Sequence, residues 1–173
     1  IALERSGVSV GNYYASEVEK HPITIARKNY PDTVHLGDVR NVSYRDGVLY
    51  SGKSVVFKGK IDLLLGGSPC QSFSFAGHKK GMSTKCNEEI LTLDHYLNLR
   101  DSNFEFEGQS YLFWEYMRIL NEVNPQYFLL ENVKMQNKWK KILSEAIGCV
   151  PVVINSSLLS AQNRVRLYWT NIP

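Results

Sequence analysis

Residues Ile61-Asp62-Leu63-Leu64-Leu65 form a short apolar run that stops at Gly66-Gly67 and is followed at once by Ser68-Pro69-Cys70-Gln71. A run of this length closed by paired glycines reads as a buried parallel strand entering a turn. Cys70 then stands at a strand's carboxyl end, which is the edge where ligands bind in open α/β sheets. Pro69 fixes its own φ and restricts Ser68, so the backbone that presents the thiol is stiff. A stiff, glycine-flanked cysteine reads as a nucleophile; taken alone, burial as an inert free thiol is the commoner fate of such a residue.

The remainder of the chain alternates strand and helix patterns. Gly11 to Glu17 reads as a strand ending in an acid, and His21 to Asn29 as a short helix with Ile23, Ile25 and Ala26 on one side. Thr33 to Leu36 is a short strand running into Gly37-Asp38-Val39, and Asn41 to Lys60 a small hairpin insertion around Arg45-Asp46-Gly47. The stretch from Ser72 to Gln109, rich in Gly, Ser, Asn and mixed charge, reads as a long irregular tract of the kind that serves as a functional lid. Ser110 to Val123 has helical spacing and ends at Asn124-Pro125; Tyr127 to Leu130 is a second buried-strand run, followed by Glu131-Asn132-Val133. Lys134 to Ile147 is a helix whose lysines face solvent, and Val150 to Leu159 and Arg166 to Ile172 are strands joined too tightly to be parallel. The expected architecture is α/β, a doubly wound sheet ending in an antiparallel hairpin.

Composition narrows the class. With 173 residues, 43% of them hydrophobic, one core and one domain over 1–173 are expected. Twenty basic and 17 acidic residues give a net charge of +3, which permits a nucleic-acid partner without requiring one. Cys70, Cys86 and Cys149 are odd in number and widely spaced, so neither a disulfide framework nor a zinc ribbon is indicated, and a reducing cytoplasm fits. No apolar run is long enough to span a membrane.

Three stretches in order, Gly66-Gly67-Ser68-Pro69-Cys70-Gln71, Glu131-Asn132-Val133 and Gln162-Asn163-Arg164-Val165-Arg166, resemble the motifs of the cytosine-5 DNA methyltransferases, and the resemblance covers nearly the whole chain. It implies a methyltransferase-type, Rossmann-like fold of bacterial or phage type, with S-adenosylmethionine as cofactor and double-stranded DNA as partner. It also implies that the chain is a catalytic-domain fragment: the family's first glycine-rich motif, its target-recognition region and its last motifs are not in this sequence, so little turnover is expected of these residues alone.

The resemblance assigns roles residue by residue. Cys70 is the nucleophile, Glu131 a proton donor, and Arg166 or Arg164 the cation that holds the base. Desolvation beside an apolar strand end would give Glu131 a raised proton affinity. Glu17, at the end of a second strand, suits a ribose diol, because two coplanar oxygens match vicinal hydroxyls. Asp38 is expected to read the adenine amino group, Val18 and Val39 to pack on the two faces of that ring, and Pro69 and Leu112 to lie beside the cofactor, with core packing the simpler role for Leu112. Asn132 is expected to brace the cysteine loop. Gln71, Ser72 and Ser74 are expected around the substrate, with His78-Lys79-Lys80 suited to phosphate. Acids farther along the tract, Glu88 to Glu107, would repel a phosphate backbone. Two other functions stay open on the sequence: the same chemistry on transfer RNA, and a non-catalytic relative that binds nucleic acid or a partner. A zinc site from the three cysteines and His78 lacks any ligand-pair spacing.

Overall fold

The computed structural model describes residues 2–69 and 82–173, and its contacts divide the chain into two units, Ile1–Gly59 and Lys60–Pro173. In the first unit a short helix α1 (Ala2–Arg5) precedes β1 (Tyr14–Ala15), α2 (Lys20–Asn29) and β2 (Val34–His35). The two strands are parallel, Tyr14 opposite Val34 and Ala15 opposite His35, so α2 is the crossover that a parallel pair requires. Tyr30 ends α2, followed by Pro31, whose ring bars the residue before it from the helical region. A single 3-10 turn (Val39–Asn41) leads into an antiparallel meander of β3 (Val42–Arg45), β4 (Val48–Ser51) and β5 (Ser54–Lys58). Asp46 and Gly47 both take positive φ, 51° and 75°, as a two-residue Asp-Gly hairpin turn demands. The expected insertion is therefore a three-stranded sheet. Leu36, Val42 and Leu49 are this unit's buried apolar residues among those described.

The second unit contains β6 (Leu63–Gly67), β7 (Ser83–Thr84), α3 (Leu93–Asp101), β8 (Phe106–Glu107), α4 (Leu112–Val123), β9 (Tyr127–Val133), α5 (Asn137–Ile147), β10 (Val152–Asn155), a 3-10 turn (Ser156–Leu158) and β11 (Val165–Thr170). The main sheet has the order β10-β11-β9-β6. Parallel β6 and β9 pair Gly67 with Glu131, and β11 runs antiparallel to both β9 and β10, as the short final connection predicts. One face carries the core: Leu130, Leu167 and Trp169 of the sheet pack with Phe113, Trp114, Tyr116 and Met117 of α4 and Trp139 and Leu143 of α5. The Trp169 indole donates to Ser144 Oγ at 2.9 Å, which ties the sheet to α5. The other face is open, with Leu65 40% and Tyr127 37% exposed, so the apolar runs expected to be buried strands are buried on one side.

Two expectations are corrected. β6 does not break at its glycines but continues through them to Gly67. A Cβ at Gly66 would lie 2.4 Å from the ring of buried Tyr116, so this glycine serves close packing of α4 against the strand rather than a turn. The second correction concerns the irregular tract. From residue 82 onward it is an ordered layer: β7 pairs with β8, Thr92 caps α3 by accepting from the His95 N–H, and Met82, Ile90 and Tyr96 are fully buried. Its acids are largely matched by bases, Glu88 with His95, Glu89 with Lys138, Glu105 with Lys85 and Asp101 with Arg100. Large apolar anchors at irregular spacing carry no helical or strand period, so no local signal distinguishes this layer from loop.

A buried ionic hub fixes α3 to α4. Glu115, with no solvent exposure, accepts from the Tyr96 hydroxyl at 2.6 Å and from Arg118 Nε at 2.7 Å, and Arg100 Nη1 lies 3.3 Å away. Burial, then the hydrogen bond to Glu115, pushes the Tyr96 hydroxyl far above its ordinary range, so it remains a donor. Among the described residues no helix is long and apolar enough to cross a membrane.

Candidate active site

Glu131 and Arg166 meet on the carboxyl rim of the parallel strands. Gly67 and Tyr168 flank Glu131 in register, and Arg166 sits opposite Val133, so Glu131 and Arg166 are a diagonal pair on the open face of the sheet. Arg166 Nε lies 2.8 Å from Glu131 Oε1, with 19% and 33% of the two side chains exposed. The Nε–H does not point along that line and makes no hydrogen bond, while Nη1 donates to the Val165 carbonyl at 2.8 Å. The contact is a charge pair rather than a directed fork, and it leaves the guanidinium edge to be redirected toward a third group. The dry, apolar surroundings expected of Glu131 are not found: its neighbour is a cation and a third of it meets solvent.

Asn132 points to the opposite, packed face and is 1% exposed. Its amide donates to Ser68 Oγ at 2.9 Å and lies 3.4 Å from the Ser68 carbonyl, and its oxygen accepts from the Val133 N–H at 2.8 Å. These bonds tie β9 to Ser68, the residue before Pro69, at the end of β6. Arg164 lies outside the charge pair; its side chain is exposed, and its backbone closes the β10–β11 connection through Asn155 Oδ1 at 3.0 Å. Leu112 opens α4 and packs against the hydrophobic core. Cys70, Gln71, Ser72, Ser74 and His78-Lys79-Lys80 lie outside the described residues.

In the first unit Glu17 and Asp38 follow the carboxyl ends of the adjacent strands β1 and β2. Glu17 Oε1 accepts from the backbone N–H groups of Val18 at 2.7 Å and Glu19 at 2.9 Å. Both bonds fall on one oxygen, Oε1. Val18 is 66% exposed. Asp38 caps the 3-10 turn by accepting from the Arg40 N–H at 2.9 Å, and it is also gripped by the Arg40 side chain, Nε at 3.0 and 2.9 Å and Nη2 at 2.5 Å. The side-chain hydrogen bonds from Arg40 hold the Asp38 carboxyl below the ordinary carboxylate range. Sequence reasoning misses Arg40, because the Asp-x-Arg spacing that could flag it is common in turns.

A cavity of about 360 Å³ lined by Leu120, Asn124, Phe128 and Asn171 lies at the other end of β9, remote from Glu131 and carrying none of the expected site residues. Among the described residues no group of three His, Cys, Asp or Glu side chains is arranged to hold a metal ion.

The family model of C-5 cytosine-specific DNA methylases matches residues 1–96 and 100–170. The chain belongs to that family. Among its relatives, the orphan methyltransferase M.SPRI of Bacillus phage SPR is 31% identical over 184 residues, covering 99% of this chain and 34% of that protein. M.Rho11sI of Bacillus phage rho11s is 31% identical, covering 96% of this chain and 29% of its own length, and M.SPBetaI of Bacillus phage SPbeta is 28% identical, covering 99% and 41%. The chain thus spans about a third of the length of the curated relatives it matches. Its fold is similar to that of a protein assigned as a DNA modification methyltransferase encoded within an E. coli prophage, with a TM-score of 0.57 and 22% identity over 96% of this chain and 40% of that one. The mixed α/β sheet is therefore a methyltransferase-type fold, as the order of elements predicts.

Proposed function

We propose that this C-5 cytosine-specific methylase chain carries the chemical centre of an enzyme that methylates carbon 5 of cytosine in double-stranded DNA, with S-adenosylmethionine as donor. What carries the reading is the pairing of Glu131 with Arg166 on the same rim as Gly67, three residues before Cys70, in a chain that the family model matches almost throughout. The residues of the first unit fit the nucleoside half of that donor: one carboxylate with an unused oxygen for a diol, a second carboxylate at the neighbouring strand end, and an exposed valine beside the first.

Carbon 5 of cytosine is a weak nucleophile. In the proposed reaction the Cys70 thiolate adds to carbon 6, the carbon 5–carbon 6 π pair shifts toward carbon 4, and the electron pair released onto nitrogen 3 takes a proton from Glu131. Arg166, already within reach of Glu131, offers its remaining N–H groups to the ring carbonyl oxygen and stabilises the charge gathered on the base. The methyl group is what S-adenosylmethionine supplies when bound. Once carbon 5 carries the methyl group, loss of its proton to solvent re-forms the carbon 5–carbon 6 double bond and expels the thiolate, and nitrogen 3 gives its proton back to Glu131. A thiol that must approach from above the ring cannot reach a stacked base, so the cytosine is flipped out of the duplex.

Duplex DNA containing 5-fluorocytosine tests this, because fluorine at carbon 5 cannot leave as a proton and the adduct persists. The intact protein with S-adenosylmethionine is expected to form a covalent complex that survives denaturing electrophoresis, and Cys70→Ser to form none. Equal trapping by the variant would remove Cys70 from the mechanism.

A further inference from the structure

Lys134 does not stand where the helical pattern puts it. The pattern predicts a helix over Lys134 to Ile147, yet α5 begins only at Asn137. Lys134 instead follows directly on β9, which ends at Val133. Half-buried Val133 holds the chain on one side of it, and Met135, 4% exposed within the core cluster, holds it on the other. The backbone at residue 134 is therefore pinned at the carboxyl rim of the parallel strands, while its side chain is exposed. At about 3.3 Å per residue, its Cα lies within roughly 10 Å of that of Glu131.

The charge on this side chain is unanswered. Of the lysines described in the second unit, Lys60 pairs with Asp62, Lys85 with Glu105, Lys138 with Glu89 and Lys141 with Glu145. Among the described residues Lys134 and Lys140 reach no carboxylate, and Lys140 lies within α5 rather than at the strand end. Glu131 and Arg166 already answer one another, so Lys134 leaves the rim with an uncompensated positive charge.

We propose that Lys134 is a substrate-positioning residue that holds a backbone phosphate beside the target cytosine. This rests on the reading of the rim as a cytosine-methylating centre. A cytosine lodged on Glu131 and Arg166 has left the stack, and its flanking phosphates stand one sugar away from the ring. The ammonium is a point charge on a flexible four-carbon stem, so it can find a phosphate oxygen from a pinned Cα without a fixed approach angle. Contacts to phosphate carry no base information but fix the register of the strand. The contact is therefore expected whichever bases surround the cytosine.

The test uses the intact protein, a duplex that it methylates, and copies of that duplex in which one phosphate beside the target cytosine is replaced by an uncharged methylphosphonate. Affinity is read by fluorescence anisotropy over a range of salt, with S-adenosylhomocysteine in place of the donor so that no transfer intervenes. In the parent, one of the replacements is expected to weaken binding roughly 10-fold, as loss of a charge-assisted contact does. Lys134→Gln is expected to weaken binding to the unmodified duplex by a similar factor and to lower the slope of log affinity against log salt by about one. It is also expected to make the protein indifferent to that same replacement, whereas Lys134→Arg, which keeps the charge, stays sensitive to it. An unchanged slope in Lys134→Gln, or weaker binding with the sensitivity to every replacement intact, overturns the phosphate contact and spares the rest of the centre. A protein that methylates no duplex overturns the cytosine reading, and the role of Lys134 with it.

Discussion

Gly66 shows how one missing Cβ sets the geometry of the rim. The nearest atoms to a methyl group placed there would be Cδ2 and Cε2 of Tyr116 at 2.4 and 2.5 Å, with Leu130 Cδ1 at 3.3 Å. Tyr116 is 8% exposed and lodged in the core, so its ring cannot swing away as the end of a surface chain could. Gly66→Ala is expected to cost about 1–3 kcal/mol in urea denaturation through overpacking. Part of that cost should disappear in a Tyr116→Ala background, where the two substitutions are expected to couple by more than about 0.5 kcal/mol. Equal costs in both backgrounds would refute the contact as the reason. The neighbouring Gly67 is different: a Cβ there would sit 3.7 Å from Glu131 Oε2, an ordinary contact, so this glycine leaves the carboxylate uncovered rather than relieving a clash.

At the scale of elements, α4 joins the layer that follows the cysteine motif to the sheet. Its amphipathic pattern places Phe113, Tyr116, Met117 and Ile119 in the interior, where they are buried, but Glu115 and Arg118 are buried as well, because α3 folds over the flank that the pattern leaves polar. Taking those charges from water is tolerable only because Tyr96, Arg118 and Arg100 satisfy the Glu115 carboxylate together. Glu115→Gln keeps the shape and removes the charge that Arg118 approaches at 2.6 Å. It is expected to destabilise by about 3 kcal/mol, since a buried cation then lacks this counter-charge. Tyr96→Phe, which removes one donor and no charge, is expected to cost about half as much. Denaturant midpoints for the two variants check the ordering, and a milder effect for Glu115→Gln than for Tyr96→Phe would contradict the account.

Across the whole molecule the apolar core is distributed unequally. Residues 1–59 bury Leu36, Val42 and Leu49, whereas residues 60–173 bury Trp114, Trp139 and Trp169 within a continuous cluster that begins at Met82. Opening free energy follows buried apolar contact, so amides of β1, β2 and α2 are expected to exchange with solvent deuterium well before those of α4, β9 and β11. Hydrogen exchange followed by mass spectrometry checks this, and equal protection across both units would show that local burial does not set the order.

Much of this fold is open to sequence reading because it is written locally. Two-residue turn chemistry at Asp46-Gly47, the period of α4, the apolar runs of β6 and β9 and the short connection before β11 each act over a few residues, and each produces the element expected. The three motifs likewise point to the family without any coordinate. What local signals cannot supply is every decision made by contact between distant segments. Gly66 looks locally like a turn residue because its reason, the ring of Tyr116, lies about 50 residues away on another element. The layer from residue 82 looks locally like loop because its order comes from isolated anchors and a hub, not from a period. The sequence determined which residues stand at strand ends; only the folded chain, by packing α4 on one face and leaving the other open, decided that Glu131 and Arg166 would meet there.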